Sequence, residues 1–327
     1  MGSEVNILLE VRDLQTELPT QRGTVRAVDG ISFSLAAGGT LGIVGESGCG
    51  KSILARTIMG LLPPQAAVAR ESAITFKGRD LRSLSGKPLR DMIGRYMAMV
   101  FQDPQSSLNP VLKVGHQIME VLQHHLRLNR QTARRKSIEL LYQVGIPMAE
   151  ERAAQYPHQL SGGMQQRVAI AIALACGPSL LIADEPTTAL DATVQADILD
   201  LLADLQATQR MAMILISHDL AVVAGRTDTT VVMYAGRVVE QAPTRHLFNT
   251  PHMPYTQALM DAMPRLSDPV HAELKSIPGQ PPDPFHPLPG CPFAPRCRRV
   301  RTRCRDARPP LIGQNDHHFA CWFPLQT

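Results

Sequence analysis

Residues Gly45, Glu46, Ser47, Gly48, Cys49, Gly50, Lys51 and Ser52 spell G-x-x-x-x-G-K-S. Such a loop turns its backbone N–H groups inward onto phosphate oxygens, which requires the freedom of Gly45, Gly48 and Gly50. The helix expected to follow aims its positive end at the same anion. Lys51 would reach the β- and γ-phosphates, and Ser52 would set its hydroxyl on Mg²⁺. Far downstream, the apolar run 180–183 ends on Asp184 and Glu185. A carboxylate at a strand end can hold magnesium through water, which suits Asp184. Glu185, one residue on, points differently and suits the orientation and polarisation of an attacking water. Between them in sequence, Leu160-Ser161-Gly162-Gly163-Met164-Gln165-Gln166 begins a helix. Ser161 is a natural N-cap there, and the two glycines let backbone approach a ligand closely.

The elements that must carry these residues read as an α/β domain. Short apolar runs at 40–44, 97–101, 180–183, 213–217 and 230–234 alternate with helical patterns, and their lack of period-two alternation suits strands covered on both faces. The run 52–62 reads as the helix after the phosphate loop. Segments 8–11 and 30–35 do alternate, as an antiparallel layer beside the main sheet would. From 113 to 156 the pattern is helical, so a helical subdomain spanning about 103–160 is expected inside a nucleotide-binding domain of residues 1–264. After residue 263 the composition changes: thirteen of the 26 prolines and four of the six cysteines fall there. Residues 265–327 are therefore expected to form a small irregular Cys/Pro-rich domain without long regular elements.

The three motifs in this order resemble the ABC-type ATP-binding subunits. The resemblance implies that Gln102 is the Q-loop glutamine, Asp191 the D-loop aspartate and His218 the switch histidine. It implies catalytic roles for Glu185, His218 and Gln102, and a Mg²⁺ held by Ser52, Gln102 and Asp184. In that family the signature, here Ser161, Gly162, Gly163 and Gln165, meets ATP bound to the opposite subunit. Two subunits must then close head to tail around two nucleotides, with ATP favouring closure and hydrolysis permitting opening. One departure stands out. The family commonly places an aromatic residue before the first core strand to stack on adenine, and residues 23–28 read GTVRAV. Loose base selectivity is expected.

Several phrases are similar to the oligopeptide/dipeptide importer ATPases, in particular the dipeptide-permease D-subunit group: FQDPQSSLNP at 101–110, YPHQLSGG at 156–163, ADEPTTALD at 183–191, PYTQAL at 254–259 and PGCPFAPRC at 289–297. That resemblance implies a second paralogous ATPase, two membrane permeases and an extracytoplasmic peptide-binding protein as partners. Nickel, glutathione and cationic peptides remain alternative solutes, and a soluble ABC ATPase outside transport is the alternative class. Net charge is only +4, which gives no argument for nucleic acid. The basic stretch 127–136 reads as a solvated helix face. No run approaches the ~18 apolar residues of a membrane span, and the N-terminus lacks a signal-peptide pattern. The expected location is peripheral, on the cytoplasmic face of the inner membrane.

Cys291, Cys297, Cys304 and Cys321 are spaced C-x5-C-x6-C-x16-C. A cytoplasmic setting disfavours disulfides, so four clustered thiols suit a soft metal centre. The paired C-x2-C spacing of a zinc ribbon is missing. Some members of the family carry a [4Fe–4S] cluster at matching cysteines, and zinc or no metal stay open beside it. Arg296, Arg298, Arg299, Arg301, Arg303 and Arg305 would offset the negative charge of such a cluster, or form a docking surface.

Overall fold

Strand residues 31–35 alternate apolar and serine, and their burial follows: Ile31, Phe33 and Leu35 are buried while Ser32 and Ser34 face out. In the computed structural model, which describes residues 6–188, 190–263, 276–314 and 316–325, the chain divides into two compact units. The first comprises Met1–Leu35, Gly39–Asp80 and Leu215–Thr327; the second comprises Ala36–Gly38 and Leu81–Ile214. The domain border expected at 264/265 lies outside the described residues.

The first unit contains the antiparallel layer. Ile7–Thr20 lies between Gly23–Ala36 and Ala73–Phe76, with Arg79–Asp80 at the edge and Ala67–Val68 pairing on its outer half. Leu9 stands opposite Phe76 and Val11 opposite Ile74, and all four are buried. Beside this layer, Thr40–Val44 is buried at every position and runs parallel to Thr229–Tyr234, with Leu41 opposite Thr229 and Val44 opposite Val232. Such continuous burial explains a strand without alternation. Asp228 fixes the start of this pair: its Oδ2 accepts from both Thr40 N and Thr40 Oγ1 at 2.8 Å.

Arg237–Pro243 pairs antiparallel with Thr229–Tyr234 and receives the chain's tail. His317–Phe319 adds to it, Glu240 opposite Phe319, and Ile312–Gln314 adds to His317–Phe319. The elements after residue 276 are indeed short, but these strands extend the central sheet, which the composition did not suggest. A fully buried carboxylate holds the join. Glu240 accepts from His252 N at 2.6 Å and Met253 N at 3.2 Å, and meets His317 Nε2 at 2.8 Å. With both oxygens engaged, it binds tail to body.

In the second unit Met97–Val100 runs parallel to Leu180–Asp184, Met97 opposite Leu180. The expected helical region consists chiefly of Val114–Leu126, Arg130–Gln143 and Ala149–Ala153, followed by Gly162–Leu174. Ile118, Leu122, Leu141 and Val168 form its core. Asn129 caps Arg130–Gln143 by accepting from Thr132 N. On that helix Arg134, Arg135 and Lys136 are exposed and Ala133, Ser137 and Leu140 buried, the solvated face the charge pattern suggested. Among the described residues no helix is long and apolar enough to cross a membrane.

Candidate active site

The phosphate loop leaves the buried strand Thr40–Val44 at a residue that must be glycine. Gly45 has φ 153°, and a Cβ there would run into the Met233 carbonyl oxygen; at Gly50, φ 104°, it would run into that of Ala27. The helix Lys51–Ile58 follows at once. It is shorter than the expected 52–62, because Leu61 N bonds back to Arg56 O at 2.8 Å and Gly60 takes φ 62°, a glycine C-terminal cap. Lys51 is buried, and its Nζ donates to Gly45 O at 2.7 Å and Glu46 O at 3.0 Å. The ammonium is thus folded over its own loop, in reach of an anion the loop would cradle. Ser52 is half-buried, while Ser47 and Gly48 stand exposed at the loop's tip. Cys49 is buried beneath them, and burial pushes its thiol pKa up. His218, also in the first unit, is exposed just after Ala212–Ser217, where Asp219 caps the next turn by accepting from Ala221 N.

The second unit carries the carboxylates. Asp184 ends Leu180–Asp184 and is 2% exposed. Glu185 adopts φ 46°, the left-handed region that a non-glycine residue enters at a cost. Its Oε2 accepts from Gln102 Nε2 at 3.1 Å and Thr188 Oγ1 at 3.1 Å. Ser161 caps Gly162–Leu174, accepting from Met164 N at 3.4 Å. Gly163 is pressed against Val194, so a Cβ there would lie 2.7 Å from Val194 Cγ1. Gln165 is buried, its amide donating to Pro157 O at 2.9 Å and Leu160 O at 3.1 Å. In this chain it holds the loop that leads into the helix. Asp191 caps Ala192–Gln209, accepting from Val194 N at 3.0 Å. Ala189, quoted beside it in the sequence, lies outside the described residues.

The four tail cysteines come together. Cys291, Cys297, Cys304 and Cys321 line one small cavity walled by Phe293, Pro309 and Trp322. Burial pushes the thiols of Cys291 and Cys297 up and that of Cys321 up to about 11. Four soft donors around one shielded cavity fit a thiolate-held metal group. Three of the six arginines make contacts of their own. Arg303 lies over the Trp322 ring at 3.7 Å and Arg301 over Phe323 at 4.3 Å. Arg296 is buried and bonds the Glu46 carboxylate. Tyr255 and Arg296 were both quoted in sequence phrases, but nothing in spacing connects either to residue 46; only chain folding does.

Two family models match the chain: "ABC transporter" over residues 28–188 and "Oligopeptide/dipeptide transporter, C-terminal region" over residues 239–304. The chain is 48% identical over 98% of its length to the dipeptide transport ATP-binding protein DppD of Bacillus subtilis, covering 95% of that protein. It is 47% identical over 96% of its length to the oligopeptide transport ATP-binding protein OppD of the same organism, covering 88% of it. Among solved structures, the dimeric post-hydrolysis state of the ATP-binding cassette MJ0796, bound to ADP and Pi, aligns with a TM-score of 0.65. That match has 26% identity and covers 73% of this chain and 99% of that one.

Proposed function

The chain belongs to the ATP-binding proteins of the oligopeptide/dipeptide ABC transporters, and from that premise we propose that it couples ATP hydrolysis to the uptake of di- and oligopeptides. The observation that carries the ATP site is the phosphate loop: two glycines that only glycine conformation and space permit, and Lys51 folded onto the loop's carbonyls. In the proposed mechanism residues 45–52 wrap the phosphates and Lys51 exchanges its carbonyl partners for phosphate oxygens. Ser52, Asp184 and Gln102 would hold Mg²⁺, which supplies charge neutralisation on the phosphates when bound. Glu185, aimed by Gln102 and Thr188, accepts the proton of the attacking water, and His218 supports the developing charge on the γ-phosphate.

Ser161, Gly162 and Gly163 present the capped helix start to the nucleotide of a partner ATPase, with Gln165 holding the preceding loop. Asp191 lies at the matching turn on the same unit. The partner is proposed to be a second, paralogous ATPase. Two membrane permeases and an extracytoplasmic peptide-binding protein complete the transporter, and this chain sits on the cytoplasmic face of the inner membrane. Residues 1–264 form the nucleotide-binding domain, with a helical subdomain of about 103–160, and residues 265–327 the tail domain. The shared cavity of Cys291, Cys297, Cys304 and Cys321 supports a [4Fe–4S] group in that tail. The trio of described residues whose ligand atoms meet within 4.8 Å is Glu240, His252 and His317.

Uptake of labelled dipeptide by cells deleted for the gene and complemented with it tests the transport reading. Restored uptake, competed by di- and oligopeptides, supports it. Restored transport of nickel, glutathione or cationic peptides instead would overturn peptides as solute. Iron and sulfide analysis after anaerobic purification tests the tail: about four irons with matching sulfide supports the cluster, and zinc or no metal rejects it.

A further inference from the structure

Glu46, the second residue of the phosphate loop, is held by the far end of the chain. Arg296 has a side chain only 4% exposed. Its guanidinium grips the Glu46 carboxylate with two prongs, Nη1 to Oε2 at 2.6 Å and Nη2 to Oε1 at 2.8 Å. The remaining donors are also engaged: Nε to Pro278 O at 2.9 Å, Nη1 to the Tyr234 hydroxyl at 3.2 Å and Nη2 to Ile277 O at 3.3 Å. All five N–H groups of the fork thus have acceptors. A planar fork so engaged fixes geometry as well as charge.

The gripped residue is fixed at its backbone too. Glu46 N donates to the Tyr255 hydroxyl at 2.9 Å, and Glu46 O accepts from Lys51 Nζ at 3.0 Å. Tyr255 in turn packs on Tyr234 and Phe293, ring centroids 4.6 Å and 5.2 Å apart. Arg296 belongs to the short turn Ala294–Arg296, directly before Cys297. One run of polar contacts therefore leads from the cysteine-bearing tail, through Arg296 and Glu46, to Lys51.

We propose that Arg296 is a positioning residue for ATP binding, clamping Glu46 so that the loop is set for phosphate and its one carboxylate is neutralised. The proposal rests on residues 45–52 being the ATP site. Without Arg296, Glu46 would stand as an unpaired carboxylate within a loop meant for a polyanion, and it would oppose phosphate binding. The carbonyl that steers Lys51 would also lose its anchor, so binding would have to supply the ordering the clamp now provides. An ion pair serving stability alone would affect unfolding but not the nucleotide affinity of the folded protein.

Equilibrium binding of Mg·ATP to the full-length protein tests this, with thermal melts run in parallel. Arg296→Ala is expected to raise the Kd for ATP by about tenfold or more, and Arg296→Lys, which keeps charge but not the fork, by about threefold. Adding Glu46→Gln to Arg296→Ala is expected to recover most of the lost affinity, because no unpaired carboxylate remains. Should Arg296→Ala fail to fold, Arg296→Lys carries the same test. Folded Arg296 variants that bind ATP as tightly as the wild type overturn the proposal, as does a double variant with no recovery. Lys51→Ala separates the two readings. If it loses ATP while the Arg296 variants keep it, the clamp alone is wrong. If Lys51→Ala also binds normally, the phosphate-loop reading has failed.

Discussion

The side-chain amide of Gln102 donates to the Glu185 carboxylate at 3.1 Å, on the same oxygen that accepts from Thr188 at 3.1 Å. Glu185 holds this position with a left-handed backbone, φ 46°. Two donors on one oxygen fix the carboxylate's orientation, and an unfavourable backbone maintained by its surroundings is a common mark of a working residue. Replacing Glu185 by Gln is expected to leave ATP binding intact and lower turnover by about 10²–10⁴-fold, the usual worth of a general base. Nucleotide binding and steady-state phosphate release on the assembled transporter check this. Unchanged turnover would remove Glu185 from its role.

Asp228 joins the strand that feeds the phosphate loop to its neighbour. Its Oδ2 accepts from the Thr40 N–H and hydroxyl, and its own N–H donates to Thr40 Oγ1, all at 2.8 Å. Bonds to a charged acceptor contribute about 1.5–3 kcal/mol each when shielded, and these are only part-buried. Asp228→Ala is therefore expected to cost about 2 kcal/mol, read as a lower urea midpoint at unchanged slope. Asp228→Asn, which keeps one acceptor, should lose less. A midpoint equal to wild type would show that the staple contributes nothing.

Gly163 meets Val194 so closely that an added Cβ would lie 2.7 Å from Val194 Cγ1. Gly163→Ala must push apart Gly162–Leu174 and Ala192–Gln209, at about 1–3 kcal/mol for overpacking. Trimming the neighbour with Val194→Ala should restore much of that loss, and a double-mutant cycle in denaturant measures the coupling. Additive effects would mean the two side chains do not share the space.

How much of this could be read from the chain follows the range of the interactions. Gly45, Gly50 and Lys51 were readable because a phosphate loop needs particular residues at fixed spacing, and the strand Thr40–Val44 because continuous burial requires an unbroken apolar run. The caps at Ser161 and Asp191 are local as well, set within three residues. Arg296 was not readable: its partner Glu46 is 250 residues away, and in sequence it is one of six arginines around the cysteines. The tail strands Ile312–Gln314 and His317–Phe319 are three residues each, too short for any period to register. His317–Phe319 is specified by pairing with Arg237–Pro243 and by the buried Glu240, and Ile312–Gln314 by pairing with His317–Phe319, all products of the folded chain.

The tail thiols give a pH signature whose sign depends on whether metal is bound. Burial raises the pKa of Cys291 and Cys297 and carries Cys321 from its ordinary 9.0 to about 11. A raised thiol pKa means the folded state keeps its proton when the unfolded chain has lost it. Below pH 9.0 both states are protonated and these groups leave stability unchanged. Above it the unfolded chain ionises first, so stability falls until the pH passes the folded value, about 11 for Cys321. Metal-free protein should therefore show a melting temperature that declines across that window, and Cys321→Ser should flatten part of the decline. With a metal group bound the thiolates are its ligands, binding releases protons, and affinity strengthens as pH rises toward the thiol range. Melts of stripped and reconstituted protein between about pH 7 and 11 compare the two cases. If Cys321→Ser leaves the stripped protein's decline unchanged, that thiol is not held protonated by the fold, and the shielded cavity assigned to it is wrong.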